Sequence, residues 1–267
     1  MNARRALEFQ GLSAIVTGGA SGIGLAVAET LAASGAGIAV LDLSPEQAPG
    51  HLHAIQADVA DTAAVADATA QAVEYLGGLD VLVNNAGIGA QGTVEDNSEE
   101  EWHHVLDVNV LGIVRTTRAA LPHLRRSAHP AIVNVCSVTA TTGLPQRALY
   151  SASKGAVLAL TLAMAADHLY EGIRVNCVNP GTVDTPWVGR LIAAADDPGA
   201  ERRALEARQP SGRLVTAQQV ASAVAYLAGP SAGATTGTAL AVDGGISGLL
   251  VRPSASLRPE APAHREP

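Results

Sequence analysis

The sequence predicts a single α/β domain, a doubly wound, seven-stranded parallel sheet with helices on both faces. Three observations predict it. Short runs rich in Val and Ile alternate with Ala-rich stretches of helical period, the pattern of βαβ units around a parallel sheet. Hydrophobic residues make up 48% of the chain but aromatic residues only 3%, so Ala, Val, Leu and Ile must fill the core in close packing, which suits helices stacked on a sheet. The 267 residues suffice for one such domain with a full core, and no shift in composition marks a second.

Taken in order, strands are expected at residues 13–17, 37–41, 53–57, 79–83, 131–135, 173–178 and 239–242. Helices are expected at 22–34, 62–76, 99–126, 150–170 and 217–228. Gly35 and Gly172 follow expected helix ends, where a left-handed residue commonly closes a helix. Residues 181–213 break the rhythm. They hold no expected strand and contain Pro186, Pro198, Gly199 and Pro210, so they read as a long excursion with one or two short helices, of the kind that forms a substrate lid. The domain is expected to end near residue 251. Residues 252–267 hold four prolines and few apolar residues, and are expected to be disordered or draped on a neighbour.

The stretch TGGASGIG, residues 17–24, lies between the first strand and the first helix. Gly18, Gly22 and Gly24 allow a tight turn and close approach to a pyrophosphate, which the free N–H groups and positive dipole end of the helix favour. Ser21 and Ile23 lie in the same turn and count among the expected cofactor contacts. Asp42, at the end of the second strand, can accept hydrogen bonds from ribose hydroxyls and would repel a 2′-phosphate. With no Lys or Arg between Thr17 and Gly24 to hold that phosphate, NAD is expected rather than NADP. Asp58 and Val59 follow the third strand, where a carboxylate and a backbone amide can read an adenine edge; Asp58 can equally cap the next helix.

Of the 17 basic residues one alone is lysine, Lys154. A compact ammonium kept at one position of an otherwise Arg-only chain points to a specific task. Lys154 stands four residues after Tyr150 in YSASK, so phenol and ammonium share a helix face. A neighbouring cation favours phenolate, which suits a tyrosine to general acid-base catalysis.

TGGASGIG, NNAG at 84–87, Asn109 in DVNVLG, Ser137 in NVCSVTA, YSASK and the Pro180-Gly181 pair together resemble the ordered motif set of the short-chain dehydrogenase/reductase family, over about residues 11–245. The resemblance implies a Rossmann sheet and a hydride transfer between a nicotinamide cofactor and a secondary alcohol or ketone. It implies that Ser137 hydrogen-bonds the substrate oxygen, that Lys154 holds the nicotinamide ribose as well as assisting Tyr150, and that Asn109 keeps a water in a proton relay. Asn85, Ala86 and Gly87 resemble the segment that shapes the cofactor cleft, with Asn84 steadying the sheet. Pro180, Gly181, Val183 and Thr185 resemble the segment that touches the carboxamide and pyrophosphate. The long helices 99–126 and 150–170, with the ending VDGGISGLL, resemble the interfaces of family tetramers, so a homotetramer is expected.

Arg147, three residues before Tyr150, lies where a guanidinium can pair with a substrate carboxylate. GTVDTPWVGR and LEARQPSGR are similar to a branch that includes type-2 R-3-hydroxybutyrate and 2-keto-3-deoxy-L-fuconate dehydrogenases, and this implies substrate-binding roles for Arg147, Arg190 and Arg208. The expected substrate is a hydroxy acid, preferably a deoxy sugar acid. The alternatives are a neutral sugar, polyol, steroid or 3-oxoacyl compound. A cofactor-sensing protein without catalysis is the alternative of another class, although such a protein need not keep Ser137, Tyr150, Lys154 and Asn109 together. Trp187 suits a sugar ring or simple cover of the lid.

The net charge of −8 argues against a nucleic-acid surface, and no segment has the apolar length of a membrane span, so a cytoplasmic protein is expected. Cys136 and Cys177 are too few for a disulfide framework and not spaced for zinc; they read as small core residues, and no metal is expected.

Overall fold

Val- and Ile-rich runs become strands where both faces can be covered, and this condition sets the architecture. The computed structural model describes residues 8–251. Its strands are β1 (Ser13–Thr17), β2 (Gly37–Asp42), β3 (His53–Gln56), β4 (Val81–Asn84), β5 (Ala131–Val135), β6 (Arg174–Pro180), β7 (Val183–Asp184), β8 (Val215–Thr216) and β9 (Ala239–Val242). Seven of them form one parallel sheet in the order β3-β2-β1-β4-β5-β6-β9, as the sequence predicts, and β7 and β8 pair separately. The order reverses between β1 and β4, the crevice where doubly wound sheets take ligands beyond the strand ends.

The helices are α1 (Gly22–Ala33), α2 (Thr62–Leu76), α3 (Glu99–Leu106), α4 (Gly112–Leu124), α5 (Ala148–Asp167), α6 (Pro186–Ala193), α7 (Pro198–Ala207) and α8 (Ala217–Ala228). Strand alternation divides the core between two faces. Val16, Val40, Val83 and Val133 pack with α1 and α8, whereas Ile15, Leu41, Leu82 and Ile132 pack with α2, α4 and α5. Gly35, at φ 99°, and Gly172, at φ 73°, have the left-handed backbone expected after helix ends.

Three expectations change. The single helix at 99–126 is broken by a π turn, Asp107–Leu111, in which the Gly112 amide reaches back to the Asp107 carbonyl. The wider turn lets Asn109 face inward and seats Gly112 on Val59, where a Cβ would come within 3.0 Å of the valine. The excursion at 181–213 is not strandless. Val183 and Asp184 pair with Val215 and Thr216, which closes the base of a lid made of α6 and α7. Asp58 does not cap α2. Asp61 does, accepting from the Ala63 and Ala64 amides at 2.8 and 3.0 Å, because the helix starts at Thr62. The proposed tail at 252–267 lies outside the described residues.

A buried polar chain joins the sheet to the helices that flank the site. Asn84 and Asn134 lie side by side on β4 and β5. The Asn84 amide donates to Asn134 Oδ1 at 2.9 Å and accepts from Thr116 of α4 at 2.7 Å, while the Asn134 amide donates to Thr161 of α5 at 2.9 Å. All four residues are buried. Removing one member strands its partners' polar groups away from water. Asn134→Ala is therefore expected to lower the unfolding free energy by about 1–3 kcal/mol, seen in urea as a lower midpoint at unchanged slope.

Candidate active site

The loops that leave β1 through β6 at their carboxyl ends meet on one edge of the sheet. Between β1 and α1, Gly18 (φ 62°) and Gly22 (φ 56°) adopt left-handed backbone. Gly24 is packed so closely on the turn that a Cβ there would overlap the Gly18 carbonyl oxygen. Ser21 is the N-cap of α1, yet its side chain makes no cap hydrogen bond. The first amides of α1 are thus left without a side-chain acceptor, a donor set suited to a pyrophosphate. Ile23, half-buried, anchors this first turn in the core.

Thr17 holds the turn against the next loop: its hydroxyl accepts from the Asn85 and Ala86 amides at 3.0 and 3.1 Å. The Asn85 side chain returns two hydrogen bonds, to the Thr17 and Gly18 carbonyls at 3.0 and 2.9 Å. Asp42 closes the other side, accepting from the Ala20 amide at 3.0 Å and the Ser44 amide at 3.0 Å. A carboxylate has about four acceptor sites, so capacity remains for hydroxyl donors. Asp58 is exposed and accepts from the Ala60 amide at 2.8 Å, while Val59 is buried beside it.

Segment 180–185 folds over the glycine turn. Pro180 ends β6, and the Gly181 amide donates to Val242 on β9 at 3.0 Å. Val183 is buried in β7, and Thr185 caps α6 with its methyl 3.7 Å from the point where a Gly22 Cβ would lie. The missing side chains of Gly18 and Gly24 thus let the turn pack against itself and the Asn85–Ala86 loop, and leave the α1 amides as donors for a pyrophosphate.

At the centre, Tyr150 lies in the first turn of α5 and Lys154 one turn on, its ammonium 5.7 Å from the phenol ring centre. Lys154 is 5% exposed and donates to the Val135 carbonyl at the end of β5 at 2.9 Å. Ser137, buried beyond the same strand end, accepts from the amide and hydroxyl of Thr139 at 3.2 and 3.1 Å, so its own proton is left for another acceptor. Asn109 is gripped from both sides. It accepts from the Ile88 amide at 2.8 Å and donates to the Ile88 carbonyl at 2.9 Å and to Ser153 at 3.1 Å. Gly87 keeps the space between them clear: a Cβ would stand 3.1 Å from Asn109 Oδ1 and 3.6 Å from Lys154 Nζ. The structure therefore brings all four expected groups to one place.

The arginines divide. Arg147 caps the start of α5 and donates to the Ala90 carbonyl at 3.0 Å. Burial, and after it the like charge of Arg208, lowers its pKa from the ordinary guanidinium value, while Tyr150 and Glu201 act in the opposite direction. Arg208, at the end of α7, is exposed. Arg190 is exposed on α6, and no described contact joins it to this pair. Gln146, just before Arg147, has φ 56°, the one positive value at a non-glycine among the described residues. Trp187, on the lid, lies over Gly89, where a Cβ would come within 2.8 Å of the indole. Both cysteines are buried, and the Cys136 thiol donates to the Lys154 carbonyl at 3.1 Å, in keeping with core residues.

Sequence reasoning missed Thr17, Arg115 and Gln209. Gln209, 1% exposed, donates to the Arg213 and Thr182 carbonyls at 2.8 and 3.4 Å and so ties the two ends of the lid. Arg115 bridges the Val59 loop and the π turn. The contacts that give them their place, Thr17 to Asn85, Arg115 to Val59 and Gln209 to Thr182, join segments apart in sequence and leave no motif.

The chain matches the profile of the family described as enoyl-(acyl carrier protein) reductase over residues 18–247. The 2-(R)-hydroxypropyl-CoM dehydrogenase of Xanthobacter autotrophicus is 42% identical over 88% of this chain and 98% of the relative. The cis-4-hydroxycyclohexanecarboxylate dehydrogenase of Sinomonas cyclohexanicum is 37% identical over 88% and 96%. Among solved structures, the ligand-free aldohexose dehydrogenase of Thermoplasma acidophilum matches with a TM-score of 0.86 at 34% identity, over 92% of this chain and 98% of that one. The fold, the strand-end groups and these full-length similarities lead to one conclusion: the chain belongs to the short-chain dehydrogenase/reductase family, as an NAD(P)-dependent oxidoreductase of secondary alcohols and ketones.

Proposed function

We propose that the chain oxidises the alcohol of a hydroxy acid to the keto acid with NAD, with a deoxy sugar acid such as 2-keto-3-deoxy-L-fuconate as the preferred substrate type. The nicotinamide cofactor supplies the hydride acceptor. The chain supplies position and charge. Ser137, with its hydroxyl proton uncommitted, donates to the substrate oxygen. Tyr150 takes the alcohol proton as general base, with the Lys154 ammonium 5.7 Å from its ring centre on the same helix face. Asn109, fixed by Ile88, carries the water through which the proton leaves. Asp42 receives the ribose hydroxyls and disfavours a 2′-phosphate, which supports NAD over NADP.

One observation carries the acidic-substrate reading: Arg147, half-buried where α5 begins three residues before Tyr150, is held by a hydrogen bond from Nη1 to the Ala90 carbonyl at 3.0 Å. Among the described residues Arg147 donates through Nη1 alone, to Ala90, so donors remain for a carboxylate. The Sinomonas relative, named for a hydroxycyclohexanecarboxylate, supports the same class. A neutral sugar is the second reading, favoured by the structural likeness to an aldohexose dehydrogenase and by exposed Trp187 over Gly89.

A panel of hydroxy acids and neutral alcohols, followed by NADH absorbance, separates the two. Arg147→Ala is expected to raise KM for acids about tenfold or more, the scale of a lost charge-assisted hydrogen bond, and to leave neutral alcohols nearly unchanged; equal loss on both favours the neutral substrate. We also propose a homotetramer. Leu111 beside α4, Leu162 on α5 and the Leu249–Leu250 ending are exposed apolar groups on the surfaces expected to form its interfaces. Light scattering is expected to give four times the chain mass, and a monomer would contradict it.

A further inference from the structure

Arg115 lies in the first turns of α4, away from the Tyr150–Lys154 centre, and makes four hydrogen bonds with three segments. Nε donates to Thr62 Oγ1 at the start of α2 at 3.2 Å. Nη1 donates to the Val59 carbonyl at 3.2 Å and to the Asp107 carbonyl at 3.3 Å, and Nη2 donates to the Asp107 carboxylate at 2.6 Å. The guanidinium side chain is 17% exposed and its carboxylate partner 32%, so this pair is partly shielded. An exposed pair would be worth little. Here the planar fork spans a gap between two backbone segments, a geometry that a single-point ammonium cannot reproduce.

The segments it joins serve different ends of the site. Val59 belongs to the loop after β3. Asp107 opens the π turn that delivers Asn109, and its carbonyl already accepts the Gly112 amide. Gly112 itself rests on Val59, where even a methyl group would be crowded at 3.0 Å. The loop and the turn are thus in direct contact, with Arg115 closing the contact from outside. A shift of either one carries the other with it.

We infer that Arg115 is a positioning residue that locks the Asp58–Val59 loop and the Asn109 turn in one register, so that binding at the adenine end of the cofactor and proton release at Asn109 are coupled. This rests on the reading that Asp58 and Val59 receive the adenine and Asn109 serves the relay. As a positioning residue, Arg115 acts through the groups it holds, the Val59 carbonyl and Asp107.

The test uses the full chain and two readouts. NADH binding to the cofactor-free protein, by fluorescence titration, reports the loop. The dependence of kcat on added imidazole, a small proton acceptor, reports the relay. Arg115→Met keeps the apolar stem and removes the fork. It is expected to raise the NADH dissociation constant about tenfold, within the range of couplings transmitted without ligand contact, and to make kcat rise with imidazole where the wild type does not respond. Asp107→Asn, which keeps the side chain but weakens the pair, is expected to move both readouts in the same direction by less, and it serves if Arg115→Met fails to fold. A change in one readout alone, or a lower melting temperature with both readouts unmoved, overturns the coupling. Failure of the wild type to bind NADH would instead overturn the cofactor-site reading on which it stands.

Discussion

A single buried ammonium sets the terms for everything around it. Lys154 is withdrawn from water, makes one hydrogen bond to a backbone carbonyl at the end of β5, and has no carboxylate within ion-pair distance among the described residues. Burying such a charge costs several kcal/mol unless polar groups surround it. A protein that sought only stability would place Leu or Met there. The neighbours instead leave room: Gly87 withholds a side chain on one side, and the Tyr150 phenol lies on the other. In the proposed reading, the Tyr150 hydroxyl and the cofactor's ribose hydroxyls would complete the surroundings of Lys154, and this ties the proposed chemistry to the packing.

The remaining structure places this group to within a hydrogen bond. The sheet aligns its strand ends on one edge, and the buried chain from Thr116 through Asn84 and Asn134 to Thr161 fixes α4 and α5 against it. Because Asn84 and Asn134 are hydrogen-bonded side by side in the core, a shift of α5 would break polar contacts as well as slide apolar surfaces. The glycine turn obeys the opposite logic. There the absence of side chains at Gly18 and Gly24 permits contacts that any Cβ would block, and Thr17 and Asn85 then knit the turn to the loop after β4.

Much of this was legible in the sequence, because repeated patterns carry it. Seven strands follow from periodicity, Tyr150 and Lys154 stand out through their four-residue spacing and the lone lysine, and Ser137 and Asn109 are marked only by the resemblance to the family's motif set. What escaped depends on contacts distant in sequence. DVNVLG reads as continuous helix, and only the packing of Gly112 on Val59 and the inward grip on Asn109 open it into a π turn. β7 and β8 are two residues each, too short to leave a period. Asp58 and Asp61 are both plausible caps by type, and the start of α2 at Thr62 decides between them.

On the proposed mechanism, position 154 needs a compact buried ammonium rather than a positive charge alone. Lys154→Arg tests it, since the guanidinium keeps the charge but is planar and too large for the space beside Gly87. With the best alcohol substrate and NAD, kcat is predicted to fall by about a hundredfold or more, the scale of a lost acid-base contribution, while circular dichroism remains that of the wild type. Activity within a few-fold of wild type in a folded Lys154→Arg protein would contradict the account.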